Sequence, residues 1–428
     1  MNRSRRLLFG IIGGALGRSV SLLAPFLIMP AMLRYLGDAH FGIWMTAVSI
    51  TSMAQFSDLG IGNGLLTRLS AFLGRDDIVS ARTDVSSAYA ILALLALFLM
   101  VVTSALLFVS SIFSFVPALT APGTIAIIAV VFGTFFASIP ASVIQRIMYA
   151  RQQVMLSNLW QIVGALFAVI CCWTAIALKL APWVAVLGYG LPAIFSLIVS
   201  ALLYFIKHPE LRPRLAKVSK ESGRALLALG LRFLALGILT SVALNADNLI
   251  IAINAGAHSV TQYSVPAKIG SLLGLVITTL FLPLWPANGE ALARGDLHWV
   301  RANTRRMVWI GVGVVATTAM ALALAGNWII HLWMGRSFEN QQEILGFLGA
   351  LSIAMAIASP YQMVLNSLEL IRPQIFAAGT YLAISVTIKF IFVTPATLWI
   401  MPLISLSVYM LTILPISYLC ATHALRRR

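Results

Sequence analysis

Six ionisable side chains stand inside long apolar runs of this 428-residue sequence: Arg18, Asp58, Arg232, Asp247, Lys268 and Lys389. A charge at the centre of a membrane helix costs about 2.5–3.5 kcal/mol on insertion scales, so each must face a protein interior or a wet cavity. Four of the six are cationic. Guanidinium and ammonium groups in such a place suit a dehydrated anion that needs paired donors. The two carboxylates suit the exchange of a proton or the binding of a cation, as do the amides of Asn245 and Asn248 that flank Asp247 within about one helical turn.

Each residue has a structural alternative. Arg18 and Asp58 are each 20 residues from Asp38, so a hairpin would set them at similar depth and let them pair. Asp247 and Lys268 are 10 and 11 residues from Ala257, with the same consequence. Arg232, about six residues from the polar end of its run, can snorkel to the interface. Lys389, beside Phe390 and Phe392, either lines a cavity or pairs laterally with an acid on another helix. Gly60, Gly62 and Gly64 in DLGIGNG lack the preceding strand and the following Lys–Ser/Thr of a phosphate loop, and read better as close helix packing with a hinge. Pro25, Pro30, Pro266, Pro283 and Pro286 are candidate kinks.

The elements that must position these residues follow from composition. Sixty per cent of the chain is apolar and only 10% is charged, against roughly 25% charge in a soluble domain. That leaves too few charges for soluble surfaces. Twelve continuous runs, each near the ~20 residues of a span, lie at about 7–33, 43–66, 86–110, 123–145, 155–178, 183–206, 226–252, 262–286, 307–332, 344–366, 375–395 and 402–422. Continuity, rather than alternation, makes them helices and not barrel strands. The first is read as a retained span, because no small-residue cleavage signature follows MNRSRR.

Net charge is +16, which in a soluble chain would point to nucleic acid. Here 22 of the 29 Lys and Arg fall in the segments on one side of the twelve-helix layout and 3 on the other, with four inside the runs. This is the positive-inside pattern, and it places both termini in the cytoplasm. The polar segment 207–225 divides the chain into bundles at 1–206 and 226–428. Segment 73–82, LGRDDIVSAR, matches 292–301, LARGDLHWVR, at an offset of 219, and both follow the second helix of their half. The expected fold is therefore all-α, with twelve transmembrane helices in two six-helix bundles related by a parallel repeat. The connectors 67–84 and 287–306 read as solvated or membrane-surface amphipathic segments. The three cysteines lie in apolar runs, the six histidines are scattered, and no nucleophile–base set, nucleotide motif or cofactor motif is present.

The stretches YLGDAHFGIWMTAVSI (35–50), FSDLGIGNGLLTRLSAFLGRDD (56–77) and NADNLIIAINAGAHSVTQYSVPAKI (245–269) resemble the polysaccharide and O-antigen-unit flippases of the multidrug/oligosaccharidyl-lipid/polysaccharide exporter superfamily. The resemblance implies a transporter rather than an enzyme. It implies that a polyprenyl-pyrophosphate-linked sugar crosses the bacterial inner membrane by alternating access, driven by H+ or Na+. Surface-polysaccharide polymerase and chain-length proteins would be partners, besides membrane lipid. In that reading Arg18, Arg232, Lys268 and Lys389 face substrate, and Asp58, Asp247, Asn245 and Asn248 handle the ion. A multidrug or small-molecule antiporter of the same fold is the first rival. A membrane glycosyltransferase or polymerase on the same lipid is the second, disfavoured by short, nearly uncharged outer loops.

Overall fold

The computed structural model describes residues 58–113, 123–334, 337–338 and 340–427, together with 28–29, 31–37, 40–41, 43–44, 47–48 and 50–51. From residue 61 the helices are α1 (Ile61–Gly74), α2 (Ile78–Phe113), α3 (Thr124–Ala141), α4 (Val143–Ala150), α5 (Val154–Ala177), α6 (Pro182–Lys207), α7 (Lys220–Gly270), α8 (Leu272–Phe281), α9 (Leu284–Ala293), α10 (Leu297–Met334), α11 (Gln341–Ser367), α12 (Arg372–Phe392), α13 (Ile400–Leu411) and α14 (Ile413–Arg426). No strand occurs among the described residues.

Ten stretches in these helices are long and apolar enough to cross a membrane, from Ile78–Val109 to Ile400–Arg426. They fall on the last ten of the twelve runs. Most of the run 7–33 and part of 43–66 lie outside the described residues. Outward faces stay apolar, as lipid contact requires: Leu94, Phe98, Leu106 and Phe108 of α2 are all more than 60% exposed.

Several spans are broken, with local causes. Pro140 near the end of α3 lacks an N–H and precedes the step to α4. Pro283 separates α8 from α9. Thr412 separates α13 from α14, and its hydroxyl donates to the Val408 carbonyl at 2.6 Å. The connectors also differ from the sequence reading. Helix α1 continues to Gly74 and α2 starts at Ile78, so 67–84 is two helix ends joined by a tight turn. Its charges are not all solvated: Asp84 is 2% exposed and takes a two-pronged contact from Arg68 at 2.7 and 3.2 Å.

Helix α7 holds 51 residues, about 77 Å if straight. It is not straight. The Tyr263 hydroxyl lies 2.7 Å from the Asp247 carboxylate, whereas sixteen residues of straight helix span about 24 Å. The chain folds back between them, which separates the spans Lys220–Val242 and Gln262–Ala293.

The internal repeat extends to atomic detail. Asp77 N–H donates to Phe72 O at 2.9 Å, and Asp296 N–H donates to Ala291 O at 2.9 Å. The Asp77 carboxylate accepts from the Ser80 N–H at 3.1 Å, and that of Asp296 from the Trp299 N–H at 3.2 Å. Asp76 and Gly295 both adopt left-handed backbone, at φ 57° and 74°. All these pairs keep the offset of 219. The turn after α4 repeats after α11 at an offset of 217: Gln153 N–H donates to Met148 O at 2.8 Å, and Leu370 N–H to Leu365 O at 2.9 Å. Gln152 and Glu369 carry the left-handed residue there, at φ 59° and 60°.

The chain clusters into two compact units, Met1–Leu231 and Arg232–Arg428. The polar segment 207–225 is held against the first unit and is not a free tether. The Ser86 and Ser87 hydroxyls accept from the backbone N–H groups of Arg214 and Ser219, each at 3.1 Å. Arg151 pairs with Glu210 at 3.0 Å, and Ser222 donates to Asp84 at 2.6 Å.

Candidate functional site: a buried ion pair in the second unit

Helix α12 presents a stripe of buried residues at three- and four-residue steps: Gln374, Ala377, Ala378, Tyr381, Ser385 and Lys389. That spacing keeps one face inward, and the stripe ends on a cation. The Lys389 side chain is 2% exposed, and its Nζ lies 2.6 Å from Asp247 Oδ1. Tyr263, from the returning limb of α7, donates its hydroxyl to Asp247 Oδ2 at 2.7 Å. Both carboxylate oxygens are thus engaged. Around the three polar groups pack Ile250, Ile251, Ile344, Val393, Leu398 and Met401. Asn254 donates to the Phe390 carbonyl at 2.5 Å, which ties α7 to the helix carrying Lys389. The fold-back supplies two of the three groups and α12 the third.

The repeat gives this cluster a counterpart in the first unit. At offsets of 219 and 217, Asp247, Tyr263 and Lys389 correspond to Ile28, Trp44 and Cys172. Those three are also buried, at 1%, 1% and 0%, within a single apolar cluster with Met32, Ile127 and Ala185. The same internal site is apolar in one half and an ion pair in the other.

The remaining candidates are placed as follows. Arg18 lies outside the described residues, so its pairing with Asp58 stays an expectation. Asn245 and Asn248 lie on α7, and their side chains are outside the described set. Asp58 is not in mid-helix, as the run 43–66 implied. It precedes α1, and its two oxygens accept the N–H groups of Gly60 and Gly62 at 2.9 and 3.2 Å. A Cβ on Gly62 would come within 2.7 Å of Asp58 and 2.9 Å of Arg146 Nε, so this glycine keeps room for the carboxylate and the guanidinium. Gly64 and Gly230 permit close packing of α1 on α7: a Cβ on Gly64 would lie 3.2 Å from Leu226 O. Arg232 is half-buried and Lys268 is exposed.

The expected Asp247–Lys268 pair does not form. Lys268 follows Tyr263 by five residues, a rotation of about 140° around the helix, so it leaves the face that Tyr263 shares with Asp247. Sequence reading also passed over Gln145, Gln161 and Tyr189. They line a cavity of about 350 Å³ in the first unit, next to a second of about 200 Å³ that shares Tyr189, Gly190, Ala193 and Leu197. Their signal was weak: neutral amides and a phenol in apolar runs carry no charge to mark them. Among the described residues no group of His, Cys, Asp or Glu is arranged to hold a metal.

Residues 7–288 match the family model described as polysaccharide biosynthesis protein, and the chain belongs to that family. Three solved structures share its fold. One is a transporter of the same exporter superfamily from Pyrococcus furiosus, whose reverse-polarity binding pocket suggests a different function for it. It is 14% identical, with 100% of this chain and 96% of that one covered and a TM-score of 0.81. Another is an outward-facing multidrug resistance MATE family transporter, at 13% identity, 100% and 97% coverage and a TM-score of 0.81. A third is MATE in complex with MaD5, at 15% identity, 100% and 98% coverage and a TM-score of 0.82. A comparison with curated proteins returned no match. The chain is thus a multi-pass membrane protein of the exporter and flippase superfamily, all-helical among the described residues, with ten stretches there long and apolar enough to cross a membrane.

Proposed function

We propose that this protein flips a polyprenyl-pyrophosphate-linked oligosaccharide, a surface-polysaccharide unit of the O-antigen type, across the bacterial inner membrane, with both termini cytoplasmic. The observation that carries the reading is the Asp247–Lys389 pair, which links a protonatable group to a cation suited to phosphate. While Asp247 is ionised it holds Lys389 at 2.6 Å. A proton on Asp247 removes the charge that holds the ammonium and frees Lys389 for an anionic head group. When the substrate leaves, Lys389 recaptures the carboxylate and the proton departs. Substrate and proton are coupled because they compete for one pair of charges. Since Lys389 and Tyr263 already occupy both carboxylate oxygens, a proton enters with less rearrangement than Na+, which needs several oxygens.

Arg18, Arg232 and Lys268 supply further cations along the path, and Asn245 and Asn248 extend the polar strip of α7. The 1–206 and 226–428 halves supply the alternating access. A polymerase and chain-length protein would take the flipped unit. The excess of cations over acids inside the runs supports an anionic cargo over the cationic drugs of an antiporter.

The test uses proteoliposomes containing the full chain and a fluorescent polyprenyl-pyrophosphate glycan. An imposed pH gradient should accelerate flipping, and Lys389→Met should abolish that acceleration. Gradient-driven exchange of a cationic dye with no movement of the glycan would overturn the reading in favour of the antiporter.

A further inference from the structure

A second site lies in the first unit, whereas the ion pair belongs to the second. A cleft of about 640 Å³ runs between α2, α3 and α6, walled by Tyr89, Ala137, Pro140, Leu197, Ala201 and Phe205, and ending on Arg212. Its outer lip is exposed and apolar: Ile198 is 47% exposed, Leu202 61% and Ile206 74%. Along α6 the walls run from Leu197 to Ile206, nine residues or about 14 Å. That is close to half of the ~30 Å hydrocarbon core, the depth of one leaflet.

The lining is polar towards the Lys207 end of α6. There Tyr89 packs against Phe205 with ring centroids 6.2 Å apart, and its hydroxyl is buried with no hydrogen-bond partner among the described residues. Arg212 lines the mouth, and its carbonyl accepts a hydrogen bond at 3.1 Å from Nε of Arg82, which lies outside the lining and fixes the backbone there. Arg212 and Arg214 are exposed beside it, and Lys207 ends α6. Exposed cations at the end of an apolar, side-opening cleft match an anion with an attached hydrocarbon.

We propose that this cleft holds one acyl chain of an anionic phospholipid, with the phosphodiester against Arg212. Basic pockets between membrane helices on the cytoplasmic side take such head groups. The one-leaflet length favours an ordinary phospholipid over the longer polyprenyl carrier. The ligand is a bound membrane component rather than cargo, so the inference does not depend on what the protein transports.

The test is lipid retention by the full chain, purified in detergent, stripped of lipid, and offered phosphatidylglycerol and phosphatidylcholine with identical chains. Native mass spectrometry should show phosphatidylglycerol retained roughly ten-fold over phosphatidylcholine, the size of one charge-assisted contact. Arg212→Gln should bring that ratio close to one without loss of thermal stability, because Arg82 is bound by the Arg212 backbone and not by its side chain. Ala201→Trp, which fills the cleft, should lose both lipids. Equal retention of the two lipids by the parent overturns the proposal, as does an unchanged preference in Arg212→Gln. Displacement of phosphatidylglycerol by inorganic phosphate would reduce the site to an anion site. Displacement by polyprenyl phosphate would reassign it to the carrier.

Discussion

Removing Lys389 and Asp247 singly and together separates their contribution to folding from their contribution to transport. At 2.6 Å and an effective dielectric of 20, the two charges attract by about 6 kcal/mol before desolvation is counted. Deleting one member of a buried pair costs about 3–5 kcal/mol, because it strands the other charge. Asp247→Asn should be the more damaging single change, since Lys389 is 2% exposed and the Asp247 side chain 15%. Lys389→Met leaves Asp247 with the Tyr263 hydroxyl, and the carboxylate can be neutralised by a proton. The double variant removes both charges and should recover most of the lost stability, as replacing a buried pair with apolar groups is often neutral. Thermal unfolding in detergent measures this part. Transport is measured separately, as glycan flipping with and without a pH gradient. If the pair couples proton to substrate, the double variant should be stable and should have lost gradient-dependent flipping. A double variant that is both stable and fully gradient-driven would refute the coupling argument and leave the pair a structural feature.

Three further outcomes are expected. Gly230→Ala would place a Cβ 2.9 Å from Leu59 O and 3.0 Å from Ile61 N, both backbone atoms, so it should cost about 1–3 kcal/mol in unfolding measurements. At the matched turns, Gly295→Ala should destabilise by roughly 1–2 kcal/mol because φ is 74°, whereas Asp76→Gly at φ 57° should not destabilise. Burial would raise the Glu210 carboxyl, but its backbone hydrogen bond, Arg151 and His208 together hold it below its usual range. A depressed carboxyl stabilises above its unfolded pKa and loses that contribution as pH falls through the folded one, so hydrogen exchange in 207–217 should rise on acidification, and Glu210→Gln should remove that pH dependence.

Much of the architecture was legible because the information is local. A membrane span is written in about 20 consecutive residues, so the ten apolar spans among the described residues fall where the runs predict. The repeated turn at 73–82 and 292–301 was legible for a similar reason. Asp77 and Asp296 bond within their own turn, and a contact of that kind survives duplication intact. The acid at Asp247 was legible too, since a carboxylate inside an apolar run must have a partner.

The partner itself was not legible. Counting from Ala257 set Lys268 and Asp247 at one depth, but depth leaves azimuth open, and only the fold-back of α7 and the docking of α12 bring Lys389 to the carboxylate. The inward face of α12 is marked by Tyr381, Ser385 and Lys389, yet the residue it meets is 142 positions away. Asp58 was misplaced for the opposite reason. Hydropathy runs across it without a break, while the left-handed Gly60 at φ 70° caps the start of α1 and the acid accepts from the backbone N–H groups of Gly60 and Gly62. Arg82 and Arg212 are 130 residues apart, and neither signals a cleft until α2, α3 and α6 are packed. The sequence determined which segments enter the membrane and which charges need company there, because those are properties of short stretches of chain. Tertiary structure decided which charges meet, because that depends on the rotation and packing of helices distant in sequence.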